Sequence, residues 1–276
     1  MIESVAKFIQ HCKIVLGLSA PTIAAYTNDL RQFSDFAPPH LNALTTDHIY
    51  NFLAQFDNKR TLNRKLSAIN HFLDWCYVEF LTEENFKLRG AKVPKHLPKY
   101  LTNETIERAL ETIDRSNWIG LRDYALIVFL YASGCRISEA LRARKQDIED
   151  GWLRIRHGKG AKERLVPIAK RALSALDHYL NERKLYSQYL FINYQGKPLS
   201  RVFAFKITRR VLGVSPHALR HSSATALIVG GADLRIVQEL LGHSSLNTTQ
   251  IYTHLERPHL LESVERCHPL ALNGSV

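Results

Sequence analysis

Residues 215–255 read SPHALRHSSATALIVGGADLRIVQELLGHSSLNTTQIYTHL, and the punctuation of this stretch predicts short helices that carry polar chemistry on apolar supports. Ser215-Pro216 is a helix start, because a serine hydroxyl caps free amides and proline fits the first turn. His217 and Arg220 then share one helix face. Gly230-Gly231 stops that helix, Asp233 caps the next, and Leu234, Val237, Leu240 and Leu241 give it a buried stripe before Gly242 ends it. His243 follows where the chain turns. Asn247 with Gln250 resembles a capping box, which places Tyr252 early on a third helix.

A phenol ionises near pH ~10, so attack by Tyr252 at neutral pH needs cations and a hydrogen-bond acceptor beside it. Arginine gives paired hydrogen bonds to phosphate, and histidine donates to it or moves a proton. Each residue alone is ordinary: a tyrosine near a helix start is usually packed, and a His/Arg pair is usually solvated. Their concurrence points to a phosphodiester.

Composition agrees with a polyanionic partner. The 276 residues carry 37 Lys and Arg against 26 Asp and Glu, a net charge of +11, and neutralising phosphates with such an excess releases counterions. Cys12, Cys76, Cys135 and Cys267 lie far apart with no C-x-x-C spacing, which predicts a reduced, cytoplasmic protein. The start, MIESVAKFIQHCKIVLGLS, is too polar for a signal peptide, and no apolar run reaches the ~20 residues of a membrane span.

The chain is long enough for two domains, and the pattern predicts a mainly α (α+β) protein: a small N-terminal helical bundle and a larger, mostly helical domain with a small β-sheet or hairpin. Four helices are expected first, with apolar faces Val5/Phe8/Ile9/Val15, Ile23/Tyr26/Leu30/Phe33, Ile49/Phe52/Leu53/Phe56 and Leu62/Leu66/Ile69/Phe72/Leu73/Trp75. Lys59, Arg60, Arg64 and Lys65 gather in the first turns of the last, either as a solvated face or as a phosphate-contacting end. Residues 87–99, KLRGAKVPKHLPK, hold five Lys or Arg, two prolines and no acid. Such a segment stays extended and would track a polyanion backbone, so the domains are expected at 1–86 and 100–276 with 87–99 as linker.

In the second part, YALIVFLYA is an apolar run without alternation that stops at Ser133-Gly134, the mark of a buried helix. Arg136 and Glu139 follow at once. WLRIRHGKGAKERLVPI alternates around Gly158-Lys159-Gly160, the mark of a hairpin with Lys159 at its turn. A helix from about Ala169 to Lys184, a short strand pair around 191–199 and a helix after Ser200 are expected beyond it.

The stretch HALRHSSATALIVGGADLRIVQELLGHSSLNTTQIYTHL resembles the second signature region of the tyrosine recombinases (phage integrase family), and in particular the Xer-type site-specific recombinases. That family uses H-x-x-R, then L-G-H, then a tyrosine nine residues on, here His217, Arg220, His243 and Tyr252. ASGCRISEALRARKQDI resembles the first signature, whose arginine, here Arg136, grips the scissile phosphate, with Glu139 supporting it. GLSAPTIAAYTNDLRQF and KRTLNRKLSAINHFLDWC resemble the family's core-binding domain, which implies a DNA-binding role for Arg60, Asn63 and Arg64. Ser223 and Ala226 depart from the pattern, standing where Xer-type sequences often have an aromatic and a histidine.

The resemblance implies that Tyr252 forms a 3′-phosphotyrosyl bond, that Arg136 and Arg220 stabilise the phosphate, that His217 and His243 bond it, and that Lys159, or in competition Lys162, protonates the leaving oxygen. It implies no metal and no cofactor. The partners implied are double-stranded DNA and further copies of the chain, a tetramer on two DNA sites in which a C-terminal helix passes to the neighbouring protomer. A second related recombinase or a DNA translocase is a further partner of such systems. The expected role is resolution of chromosome dimers at a dif-like site, with integration or resolution of a mobile element as the alternative. The residues taken without the resemblance also admit a zinc hydrolase built on His217, His221 and His243, although the Glu of H-E-x-x-H is missing. A relaxing topoisomerase or a non-catalytic DNA-binding protein are the other readings.

Overall fold

The computed structural model describes residues 1–82, 86–92, 100–156, 163–242 and 256–272, and the chain divides into two units, Met1–His96 and Leu97–Val276, each with its own apolar core. In the first unit α1 (Ile2–Ile14) buries Val5, Phe8 and Cys12. Val15, expected on the same stripe, is 68% exposed, because it already forms the cap of the helix. α2 (Ala20–Phe36) starts at Ser19 with proline in its first turn and buries Leu30 and Phe33. A 3₁₀ turn at Leu41–Ala43 leads into α3 (Thr46–Leu53), where Thr45 and His48 cap each other's ends. α4 (Lys59–Val78) is capped by Asn58, whose side-chain oxygen accepts from the Arg60 and Thr61 amides, and it buries Leu66, Ile69, Phe72, Leu73 and Cys76. Phe8 meets Phe72 edge-on, ring centres 5.6 Å apart. Leu62 and Trp75, expected in this core, pack partly buried at its rim.

The basic end of α4 divides in an unforeseen way. Lys65 is 3% exposed and its ammonium reaches Asp29 of α2 at 3.1 Å and Gln32 at 2.5 Å, 4.6 Å from the centre of the Phe56 ring. Arg64 bonds the same carboxylate from a half-exposed position. Lys59 and Arg60 stay exposed. A buried lysine needs a countercharge, and only the packing of α2 on α4 supplies one.

In the second unit α5 (Asn103–Glu111) begins at Thr102, whose hydroxyl accepts from the Thr105 amide at 3.3 Å. α6 (Trp118–Ser133) is the buried helix expected from its apolar run, and every residue from Ala125 to Ser133 is buried. α7 (Ile137–Arg142) and a 3₁₀ turn at Lys145–Asp147 lead to an antiparallel sheet of β1 (Ile148–Glu149), β2 (Trp152–Ile155) and β3 (Arg164–Pro167) in that order. Leu153 pairs with Val166 and Ile155 with Arg164. α8 (Lys170–Glu182) packs along α6. The strand pair expected near 191–199 is a single antiparallel bridge, Ile192 with Pro198. α9 (Arg201–Leu212), α10 (Pro216–Val229), α11 (Leu234–Leu241), α12 (Glu256–Cys267) and α13 (Pro269–Leu272) complete the unit.

Leu260, Val264, Cys267 and Leu270 belong to the core of this same unit. The C-terminal segment expected to pass to a neighbouring protomer is thus packed on its own unit here. Among the described residues no helix is long and apolar enough to cross a membrane.

Candidate active site

The site is assembled from helix ends. α6 stops at Gly134, which takes a left-handed conformation with φ of 55° that a side chain would strain, and the chain reverses so that Arg136 becomes the cap of α7. The Arg136 amide donates to Glu139 Oε2 at 2.7 Å, and its guanidinium donates to Glu139 Oε1 at 3.0 Å and to the Gly242 carbonyl at 3.2 Å. Arg220, on α10 and 7% exposed, donates to the carbonyl of Gly134 at 2.7 Å and to that of Leu241. These carbonyls lie at the C-terminal ends of α6 and α11, where backbone acceptors are unpaired and the helix dipole is negative. The glycine stops read in the sequence therefore create the acceptors that fix both arginines.

A third arginine, not singled out in the sequence, completes the cluster. Arg164 on β3 is 7% exposed and grips both oxygens of Glu139, at 3.0 and 2.8 Å, while its Nε donates to the Leu240 carbonyl at 3.3 Å. Gly242 makes room for it: a Cβ there would lie 3.1 Å from the guanidinium carbon, in a backbone with φ of 65°. A signal was present in the sequence. Arg164 and Val166 are alternate positions of one strand and must share a face, and Val166 opposite Leu153 is a core position.

Among the described residues, three guanidinium groups stand against one carboxylate, which leaves two positive charges over. Burial pushes the Arg220 guanidinium down to about 10, and the charges of Arg136 and Arg164 push the same way. Burial works to raise the Glu139 carboxyl, but Arg164 and Arg136 outweigh it and hold it below its ordinary range. The neighbouring Cys135 thiol is pushed up to about 11 by burial and stays protonated. His217, three residues before Arg220, is lowered by burial and by the charges of His221, Arg220 and Arg136. Its ring centre is 4.8 Å from that of His221. An imidazole kept neutral beside guanidinium charge is able to accept a proton.

The structure thus brings together Arg136, His217 and Arg220. Lys159, Lys162, His243 and Tyr252 lie outside the described residues. His243 directly follows Gly242 in the sequence, and Arg136 holds the Gly242 carbonyl. Of the first unit's candidates, Arg60 is exposed, Arg64 bonds Asp29, and Asn63 spends both amide groups on Ala91.

A mostly helical unit with arginines fixed on helix-end carbonyls and positive charge to spare suits a phosphodiester substrate. The Phage integrase family matches residues 99–259, and the N-terminal SAM-like domain of phage integrases matches residues 5–79. The chain belongs to the phage integrase family of tyrosine recombinases, site-specific DNA recombinase enzymes. It is 35% identical to tyrosine recombinase XerC of Thermodesulfovibrio yellowstonii over 97% of this chain and 96% of that protein. Tyrosine recombinase XerA of Pyrococcus furiosus is 38% identical, covering 92% of this chain and 90% of its own. Among solved structures, XerH recombinase bound to difH substrate matches 95% of this chain and 83% of its own, with a TM-score of 0.65 and 27% identity. A lambda integrase dimer on a core site shares the fold, TM-score 0.72 at 18% identity, covering 91% of this chain and 99% of its own.

Proposed function

We propose that this recombinase resolves chromosome dimers at a dif-like site by cutting and rejoining double-stranded DNA through Tyr252. The observation that carries the chemistry is the arginine cluster, whose surplus positive charge is fixed on backbone carbonyls before any substrate arrives. Positioned donors act best where charge develops, and here that is the pentacoordinate phosphate held by Arg136 and Arg220. The Tyr252 oxygen attacks phosphorus, its proton passes to His217, and the 5′ oxygen leaves with a proton from Lys159. His243 bonds the same phosphate. The phosphotyrosyl bond conserves the diester energy, so attack by a 5′-hydroxyl of a second duplex completes exchange without a nucleotide.

Arg60 and Arg64 at the start of α4 would contact the duplex backbone, and the basic stretch 87–99 would bridge a core-binding domain at 1–86 and a catalytic domain at 100–276. Four protomers on two sites would form the working assembly, with α12 and α13 released to a neighbour. The chromosomal role is favoured over mobile-element integration by the Xer relatives and by the solved complex of XerH with difH.

The test is to trap the intermediate. Native protein and Tyr252→Phe are mixed with nicked duplexes carrying candidate dif-like or element-end sites, denatured, and examined for DNA-linked protein. A band that survives EDTA, appears with dif-like sites and vanishes in Tyr252→Phe is the expected outcome. A band that persists in the variant refutes the nucleophile, and one formed with element ends alone refutes the chromosomal role.

A further inference from the structure

The first stretch of the connector is fastened to the helical bundle. Asn70 donates from Nδ2 to the Leu88 carbonyl at 2.8 Å and accepts from the Leu88 amide at 3.3 Å. Asn63 does the same with Ala91, at 2.8 Å in both directions. Each side chain thereby acts as one peptide unit of a β-ladder, satisfying both backbone groups of one extended residue.

The spacing fits. Asn63 and Asn70 are seven residues apart on α4, about 10 Å along one helix face. Leu88 and Ala91 are three residues apart in extended chain, also about 10 Å. The segment runs antiparallel to α4, toward the turns that carry Arg60 and Arg64. Phe86 and Leu88 pack against the apolar core. Lys87, Arg89 and Lys92 are all exposed, and among the described residues their one ion pair is a loose one, Lys87 to Asp74 at 3.9 Å. Gly90 is part of the fit, since a Cβ there would come 2.8 Å from Asn63 Oδ1.

We propose that Asn63 and Asn70 are positioning residues that clamp residues 86–92 onto α4, so that Lys87, Arg89 and Lys92 form a preorganised cationic edge for the phosphodiester backbone of DNA. Asn63 acts on DNA only through this segment. The clamp matters because three cations on a free chain lose conformational entropy on binding, whereas cations on a fixed segment have already lost most of it. The proposal rests on the DNA-recombinase reading above.

The experiment measures duplex binding against salt concentration for the full-length native protein, for Lys87→Ala/Arg89→Ala/Lys92→Ala and for Asn63→Ala/Asn70→Ala, with tryptic cleavage of the free protein as a second readout. The triple variant alters exposed side chains and should lower the slope of log affinity against log salt by about 2 to 3. The asparagine variant keeps every charge, yet should bind at least roughly tenfold more weakly and be cut by trypsin at 87–92 faster than native protein. Native-like binding and cleavage in Asn63→Ala/Asn70→Ala would overturn the clamp, and an unchanged slope in the triple variant would overturn the cationic edge. Failure of native protein to form the Tyr252 adduct would instead refute the recombinase reading.

Discussion

Each unit buries a carboxylate among basic side chains, and the two arrangements serve opposite ends. In the bundle, Asp29 holds Lys65 and Arg64, and the excess charge is covered by Gln32 and the Phe56 ring. The network is closed: Lys65 has no surface left to offer a ligand. In the second unit, Glu139 holds Arg136 and Arg164, while Arg220 leans on carbonyls alone among the described residues, and Arg136 remains 32% exposed. That network is open toward an anion. Exposure alone does not separate the two, since Arg64 beside Asp29 is itself half-exposed; what differs is the third cation, Arg220, fixed on backbone carbonyls beside the second carboxylate.

Neutralising either carboxylate should have the largest effect. Asp29→Asn and Glu139→Gln each strand buried cations and should each cost about 3–5 kcal/mol, read as denaturation midpoints of the unit concerned. Their effects on chemistry should part. Protein with Asp29→Asn, assayed where it remains folded, should still form the Tyr252 adduct on saturating DNA, whereas Glu139→Gln loses the group that aims Arg136 and should slow cleavage by about 10²-fold or more. Equal loss in both would erase the distinction between closed and open networks.

A second measurement concerns His268, which is fully buried. Its Nδ1 accepts from the Leu270 amide, which leaves Nε2–H to donate to the Tyr131 carbonyl at 3.2 Å. Burial pushes this imidazole down to about 4. The folded value lies below the unfolded value of ~6.5, so the unfolded chain binds the extra proton as pH falls. Stability is complete above pH ~6.5 and declines toward pH ~4, by about 3 kcal/mol at most. His268→Gln, which keeps a donor for Tyr131, should flatten this part of the melting profile between pH 7 and 4.5; an unchanged slope would show that His268 is not its source.

The smallest expected effect sharpens the closed network. Lys65→Met keeps the packing volume and removes the buried ammonium, while Arg64 remains to pair Asp29, so the denaturation midpoint should move by no more than about 1 kcal/mol. A loss of several kcal/mol would mean that Lys65, and not Arg64, is the countercharge on which Asp29 depends.

The helices, their caps and the glycine stops were legible in the sequence, because they depend on side chains a few residues apart: Asn58 before α4, Ser215 before α10, Gly134 after α6. So was the grouping of Arg136, His217 and Arg220, through motifs whose spacing the family shares. Arg164, the inward turn of Lys65 and the attachment of Asn63 to Ala91 were not legible. Each depends on a partner from 25 to 36 residues away, Glu139, Asp29 and Ala91. A charged or amide side chain looks the same in the sequence whether water or a buried partner satisfies it. Packing alone decides which, since an ion or amide taken out of water must find its complement in whatever the fold brings beside it.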